Sequence, residues 1–393
     1  MKLLIISSNS PYYEFTGPAL GGAEASLRIV AERFAERGHE VHFLTQGNLI
    51  GSRNVMHEGV KIHFIPPIRI PGFGLVSDHI CKLNKRMYSS LMLREVERIV
   101  RENGIEIIHT YVTLPDTHAA AVVGKRYNIP VVQRIAGKKT IQGYLKIEGQ
   151  DNKERWTFEN VDHFLPISEY LKDEFLELMK LKKTEKGFTI LEIGMKVPEE
   201  KPRPLLKRED GKFIITSVSS FKRYAKRQDI IIDAVEMLSK ERKDFRVQFI
   251  GSGDNLKALK NAVNRKELDD FVVFRGLCSR SDVIKILKSS HFFVHATESE
   301  GLGKAVMESM ACGVPVIASD VRAINDYIKD GENGFLAKNY PGSFSDRLSY
   351  LMDNFNLAEN VSDRAHSYAL EHFQSRKNIE KYEKLFSSLV TDQ

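Results

Sequence analysis

The sequence predicts an α/β protein built as two successive domains, each a parallel sheet covered by helices. Three observations carry this. Short apolar runs alternate with stretches of helical periodicity, and the alternation occurs as two separate series, the order that βαβ units impose. A length of 393 residues suits two domains, each large enough for its own core. Between the series lies Lys196-Val-Pro-Glu-Glu-Lys-Pro-Arg-Pro204, with the proline and charge content of a linker.

The elements follow in order. Residues 3–6 form the first strand, and a loop over 7–21 carries Pro11, Gly17 and Pro18. Leu27, Val30, Ala31 and Phe34 then share one helical face, and Gly38 ends that helix. Residues 41–44 are the next strand. Runs at 105–108 and 130–132 flank a helix near 117–127, and a last unit leads from Phe164 through a helix at 169–179. The second series places strands at 213–218, 247–250, 272–274, 292–295 and 316–318, with a helix at 229–241. Ile379, Tyr382, Leu385, Phe386 and Leu389 share a face in the tail, so a closing helix packs on a domain surface. The expected division is 1–198, 199–375 and, for the closing helix, 376–393.

Composition excludes several classes. A formal net charge of +6 is small for this length and argues against a general nucleic-acid binder. Cys81, Cys278 and Cys312 show neither metal spacing nor a disulfide framework, which suits a reducing cytosol. Met1-Lys-Leu-Leu-Ile-Ile6 is too short for a signal peptide, and no later segment reaches spanning length. The expected location is the cytoplasm, free or peripheral at the inner face of the membrane. Lys82, Lys85, Arg86, Arg94 and Arg98, near Phe73, Leu75, Ile80 and Leu83, make either a basic and apolar docking surface or a plain solvated helix face.

The most informative segment is Glu298-Ser-Glu-Gly-Leu-Gly-Lys-Ala-Val-Met-Glu308. It follows a buried strand and opens a helix at 303–311 that Gly313 ends, so Glu300 lies in the strand-to-helix loop and Glu308 on the helix. A helix start offers free amides and the positive dipole end to an anion, and Gly301 and Gly303 let a diphosphate come close. Carboxylates on either side accept hydrogen bonds from sugar hydroxyls and from a ribose diol.

This segment, Gly21-Gly-Ala-Glu24 after the first strand, Gly251-Ser-Gly253 and the region around Lys226 together resemble the retaining glycosyltransferases of the GT-B fold, family 4. The similarity spans nearly the whole chain. It implies two Rossmann-like domains facing across a cleft, nucleotide held by the second and acceptor mainly by the first. It also implies transfer of a sugar from a nucleotide-diphosphate sugar to a carbohydrate or lipid-linked acceptor, with no cofactor and no metal. By this resemblance Glu300 holds the donor sugar and Glu308 its ribose, the amides of Leu302 and Gly303 with Gly301 meet the phosphates, and Lys226 neutralises the leaving diphosphate. Gly21 and Gly22 approach the donor phosphate, and His109 is either a substrate contact or a packed core residue.

The sequence departs from the family at several positions. Ala136 stands where a histidine usually meets the donor's 6-hydroxyl, surrounded by Arg134, Lys138 and Lys139. Two readings follow: a donor bearing a carboxylate at that carbon, paired with one of these cations, or an ordinary hexose. Ser220 replaces a usual arginine, leaving Lys222 or Arg223 to supply the cation. Ile193-Gly194 replaces Asn-Gly, and Asp326 a glutamate. A dinucleotide-dependent oxidoreductase is disfavoured, because neither first strand is followed by Gly-x-Gly-x-x-Gly. A noncatalytic nucleotide-sugar-binding partner protein is the alternative. The acceptor loops, 48–59 and 68–78, carry no legible chemical pattern.

Overall fold

The computed structural model describes residues 1–12, 15, 22–47, 54–66, 78–111, 113–137, 153–178, 187–192, 194, 195, 197–199, 211–222 and 226–391. The chain divides into two compact units, Met1–Gly194 with Ser375–Gln393, and Met195–Gln374.

The first unit holds β1 (Lys2–Ser7), β2 (Glu40–Gln46), β3 (Val55–His57), β4 (Val60–Ile65), β5 (Ile107–Thr110), β6 (Val131–Ile135), β7 (His163–Pro166) and β8 (Gly187–Phe188). They lie in the order β3-β4-β2-β1-β5-β6-β7-β8. Every pairing is parallel except that of β3 with β4. The helices are α1 (Gly22–Glu36), α2 (Asp78–Asn103), α3 (His118–Tyr127), α4 (Lys153–Glu159) and α5 (Glu169–Leu178). A single π-helical turn, Thr113–Thr117, precedes α3.

Part of the segment read as an acceptor loop, 48–59, is in fact β3 and its tight turn into β4. Glu58 and Gly59 both take left-handed backbone, φ 47° and 76°, the pattern of a two-residue hairpin turn. The remainder, 48–53, and the other loop through residue 77, lie outside the described residues. Of the basic stretch, Arg98 is paired with Glu95 at 2.9 Å and Glu102 at 2.6 Å on its own helix, so its charge is largely spent locally. The side chains of Phe73, Leu75, Ile80, Lys82, Leu83 and Lys85 lie outside the described set.

The closing helix, Ser375–Thr391, belongs to this first unit. Its apolar stripe is the one the sequence predicts: Ile379, Tyr382 and Phe386 are buried with Leu3, Ile5, Leu27 and Phe34 in one core, and Phe34 stacks on Phe386 with centroids 5.5 Å apart. At the rim Glu383 accepts from Arg37 at 2.7 Å and contacts His39 at 2.8 Å.

The second unit is a wholly parallel sheet of β9 (Phe213–Val218), β10 (Phe245–Ile250), β11 (Val272–Gly276), β12 (Phe292–His295), β13 (Val316–Ser319) and β14 (Phe335–Ala337). Its helices are α6 (Gln228–Glu241), α7 (Leu256–Arg265), α8 (Arg280–Lys288), α9 (Lys304–Ala311), α10 (Pro341–Asp353) and α11 (Phe355–His372). The order β11-β10-β9-β12-β13-β14 is, counted within the unit, 3-2-1-4-5-6, the doubly wound Rossmann order; β4-β2-β1-β5-β6-β7 repeats it in the first unit. In such sheets ligands bind beyond the carboxyl ends of the strands where the order reverses, here β9 and β12.

Candidate functional site

The loops that leave β9 and β12 are stitched together, and that brings the predicted lysine and glutamate into contact. Lys226 forms an antiparallel backbone bridge with Thr297. The next amide, of Arg227, donates to the Ala296 carbonyl at 3.0 Å, and the Arg227 guanidinium reaches Glu298 at 2.8 Å. Thr297 is fixed in turn: its amide donates to Ser319 Oγ at 2.9 Å, Ser319 donates to Asn339 at 3.0 Å, and Asn339 donates back to the Thr297 carbonyl at 3.0 Å. This closed ring fastens the β12 loop to the end of β13.

Within that frame Lys226 Nζ donates to Glu300 Oε1, and both side chains are mostly buried, 21% and 12% exposed. Burial pushes the Lys226 ammonium down to about 8. Contact with a carboxylate favours the charged form, so Lys226 is a cation at neutral pH. A third group, unforeseen in the sequence, completes the cluster. His295, the last residue of β12 and buried, meets the same oxygen of Glu300 through Nε2 at 2.7 Å. Burial first, and the Lys226 charge second, hold its imidazole down to about 3. It is therefore neutral, and because a carboxylate only accepts, the proton sits on Nε2.

The other glutamate lies on α9. Glu308 is 12% exposed, with Arg280 Nε at 3.5 Å and Lys304 Nζ at 3.9 Å from its Oε1. Burial lowers the Lys304 pKa, with Glu308 opposing the shift. Arg280, which opens α8 after β11, is a neighbour that the linear spacing could not supply. Gly303 caps α9 in left-handed backbone, φ 77°, where a β-carbon would also press on the Tyr327 hydroxyl at 3.1 Å. Tyr327 OH donates to the Leu302 carbonyl at 2.8 Å, which fixes the turn that aims the first amides of α9 outward. Gly301 lies between Glu300 and this turn.

Gly251 and Gly253 act on the β9 side. Their φ values are 143° and 153°, and a β-carbon at either would lie 1.9 Å from the Ser219 carbonyl oxygen or 2.5 Å from the Phe221 backbone. They let the β10 loop pass directly against the segment that leads to Lys226. Ser220 and Lys222 in that segment are exposed. Arg223 and Gly21 lie outside the described residues, and Gly22 begins α1.

Two expectations on the first unit are settled against a ligand role. Arg134, proposed as a partner for a donor carboxylate, is 1% exposed and donates through Nη1 to Tyr382 OH at 2.5 Å. Its charge is committed beneath the closing helix, because residues 132 and 134 of β6 face that helix. His109 is likewise a packed core residue, fully buried, with Nδ1 3.2 Å from the Val132 carbonyl and its ring against Tyr382 and Phe386. Lys138 and Lys139 lie outside the described residues. Among the described residues, no group of three or more His, Cys, Asp or Glu is placed to hold a metal ion.

Two doubly wound units in one chain, the second gathering charge and a helix start at its switch point, have the architecture of a GT-B glycosyltransferase. The family models agree: Glycosyl transferases group 1 matches residues 198–368, and Glycosyltransferase Family 4 matches residues 20–186. The chain belongs to this glycosyltransferase family. It is 25% identical over 389 residues to N-acetyl-alpha-D-glucosaminyl L-malate synthase of Bacillus anthracis, spanning 95% of this chain and 96% of that one. It is 24% identical over 338 residues to alpha-monoglucosyldiacylglycerol synthase of Streptococcus pneumoniae, across 81% of this chain and 72% of the relative. The crystal structure of Anabaena HepE in complex with UDP and glucose superposes with a TM-score of 0.72 at 15% identity, over 99% of this chain and 100% of that one.

Proposed function

We propose that the protein is a retaining, metal-independent glycosyltransferase that moves a sugar from a nucleotide-diphosphate sugar to an acceptor hydroxyl in glycan, polysaccharide or glycolipid synthesis. The observation that carries the reading is the contact of Lys226 with Glu300 at the β9/β12 switch point, beside the start of α9. Lys226 and the first amides of α9 offer positive charge to a departing diphosphate, the service a metal gives elsewhere. The Glu300 carboxylate accepts from hydroxyls of the donor sugar, and Glu308 from the ribose diol. Retention is supported by the likeness of the Glu300 and Glu308 motif to retaining enzymes of this family. In that reading no side chain attacks the anomeric carbon, and the leaving phosphate oxygen takes the acceptor proton.

The acceptor proposed is a carbohydrate or lipid-linked hydroxyl compound. No helix among the described residues is long and apolar enough to cross a membrane, and a peripheral approach from the cytoplasmic face is part of the proposal. The test is a thermal-shift panel of UDP, GDP, ADP and their glucose conjugates, followed by turnover with the selected donor and NMR of the product's anomeric proton. The reading predicts a shift by one nucleotide family that Glu308→Ala abolishes, and a product with the donor's anomeric configuration. Inversion would remove the mechanism, and binding without turnover would leave a noncatalytic nucleotide-sugar binder.

A further inference from the structure

We infer that His295 is a positioning residue that keeps Glu300 in place when Lys226 turns from it to the donor's diphosphate. The inference rests on the donor-site reading above. Lys226 and His295 share one oxygen of Glu300, and of the two only Lys226 carries a charge that a diphosphate would attract. If the ammonium is drawn to a diphosphate, Glu300, 12% exposed, would stand as a buried carboxylate without its ion pair. His295 is built to prevent this. It belongs to a central strand, opposite Ala318 of β13, so the sheet fixes its backbone. Its ring lies nearly parallel to that of Phe293, 12° apart with centroids at 6.0 Å, and is too buried to swing away.

Its neutrality matters as well, since a neutral donor orients the carboxylate without cancelling the charge that meets sugar hydroxyls. Both contacts fall on Oε1, so Oε2 is the oxygen left to a sugar hydroxyl. A strand buried on both faces is usually aliphatic, which makes an imidazole here a costly choice unless its N–H is used.

The test is a double-mutant cycle on donor affinity and kcat/KM with the donor selected from UDP-, GDP- and ADP-glucose. His295→Leu is expected to reduce both by about 10- to 100-fold, the size of a hydrogen bond to a charged group. His295→Gln, which keeps an N–H, restores most of the loss. In a Glu300→Ala background His295→Leu changes donor affinity less than about twofold, because its effect passes through the carboxylate. An equal loss in both backgrounds, or no rescue by glutamine, would show a packing role and overturn the inference while the donor site stands. If the unaltered protein binds none of the three donors, the donor reading fails first and this inference with it.

Discussion

Both sheets carry a histidine near the end of the strand that follows the switch point, His109 on β5 and His295 on β12, and a long cation close to it. Both imidazoles are buried and pushed down to about 3, yet their roles diverge. In the first unit the closing helix covers that sheet face. His109 packs on Tyr382 and Phe386, and Arg134 donates to the Tyr382 hydroxyl. In the second unit the loop after β12 folds back and brings a carboxylate, so His295 and Lys226 converge on Glu300. Residue type and strand position are thus shared. What covers each pair decides whether it fastens a helix or gathers on a loop carboxylate.

The sharpest way to break this contrast is to remove each cation. Lys226→Ala is expected to lower kcat by about 10²–10³, the scale of losing one preorganised electrostatic contact, while the urea midpoint moves little. Equal loss of stability and activity would place Lys226 with Arg134 as a structural cation. On the other side, Tyr382→Phe removes the one hydrogen bond of a buried guanidinium whose Nε and Nη2 already have no partner among the described residues. Stability should fall by about 1.5–3 kcal/mol in urea denaturation, with activity per folded molecule unchanged. Adding Arg134→Met should recover much of that loss, since an apolar side chain has no charge to leave unpaired.

The pH response separates the units less strongly. His63, His109 and His295 are each held near 3 in the fold against an ordinary 6.5. The unfolded chain therefore binds protons first, and the stability present above about 6.5 is lost as pH falls from there toward 3. Asp116 is pushed up to about 6 by burial and acts in the opposite direction between about 6 and its usual value, offsetting part of the loss. A lower thermal midpoint at pH 5 than at pH 7.5 is the net expectation. Activity has the other limb: kcat/KM should decline as pH rises through about 8, where Lys226 loses its proton. Smallest is Gly303→Ala, which puts a β-carbon at φ 77° and should cost about 1–2 kcal/mol of stability together with some donor affinity.

Much of this was legible in the sequence for definite reasons. Buried parallel strands read as unbroken apolar runs, so 213–218 and 292–295 coincide with β9 and β12. The closing helix shows its stripe because one face meets a core. The Glu300 and Glu308 pattern survives as sequence because strand, loop and helix are consecutive. The contact of His295 with Glu300 does not, since neither period nor spacing says that a loop five residues on returns to the strand end. Arg134 misled because its position invites a ligand role, whereas its partner, Tyr382, is 248 residues away. The β3 to β4 hairpin was missed because its turn is Glu58-Gly59 in place of the stronger Asn-Gly signal.

The most direct test of the central claim is calorimetric titration of the selected nucleotide-diphosphate sugar into the unaltered protein, Lys226→Ala and Glu300→Ala. If the donor is held at the carboxyl ends of β9 and β12, each substitution weakens binding at least about tenfold, as loss of a charged hydrogen-bond partner requires. Affinities unchanged in both variants would mean that the cluster of Lys226, Glu300 and His295 is a structural ion pair and that the donor binds elsewhere.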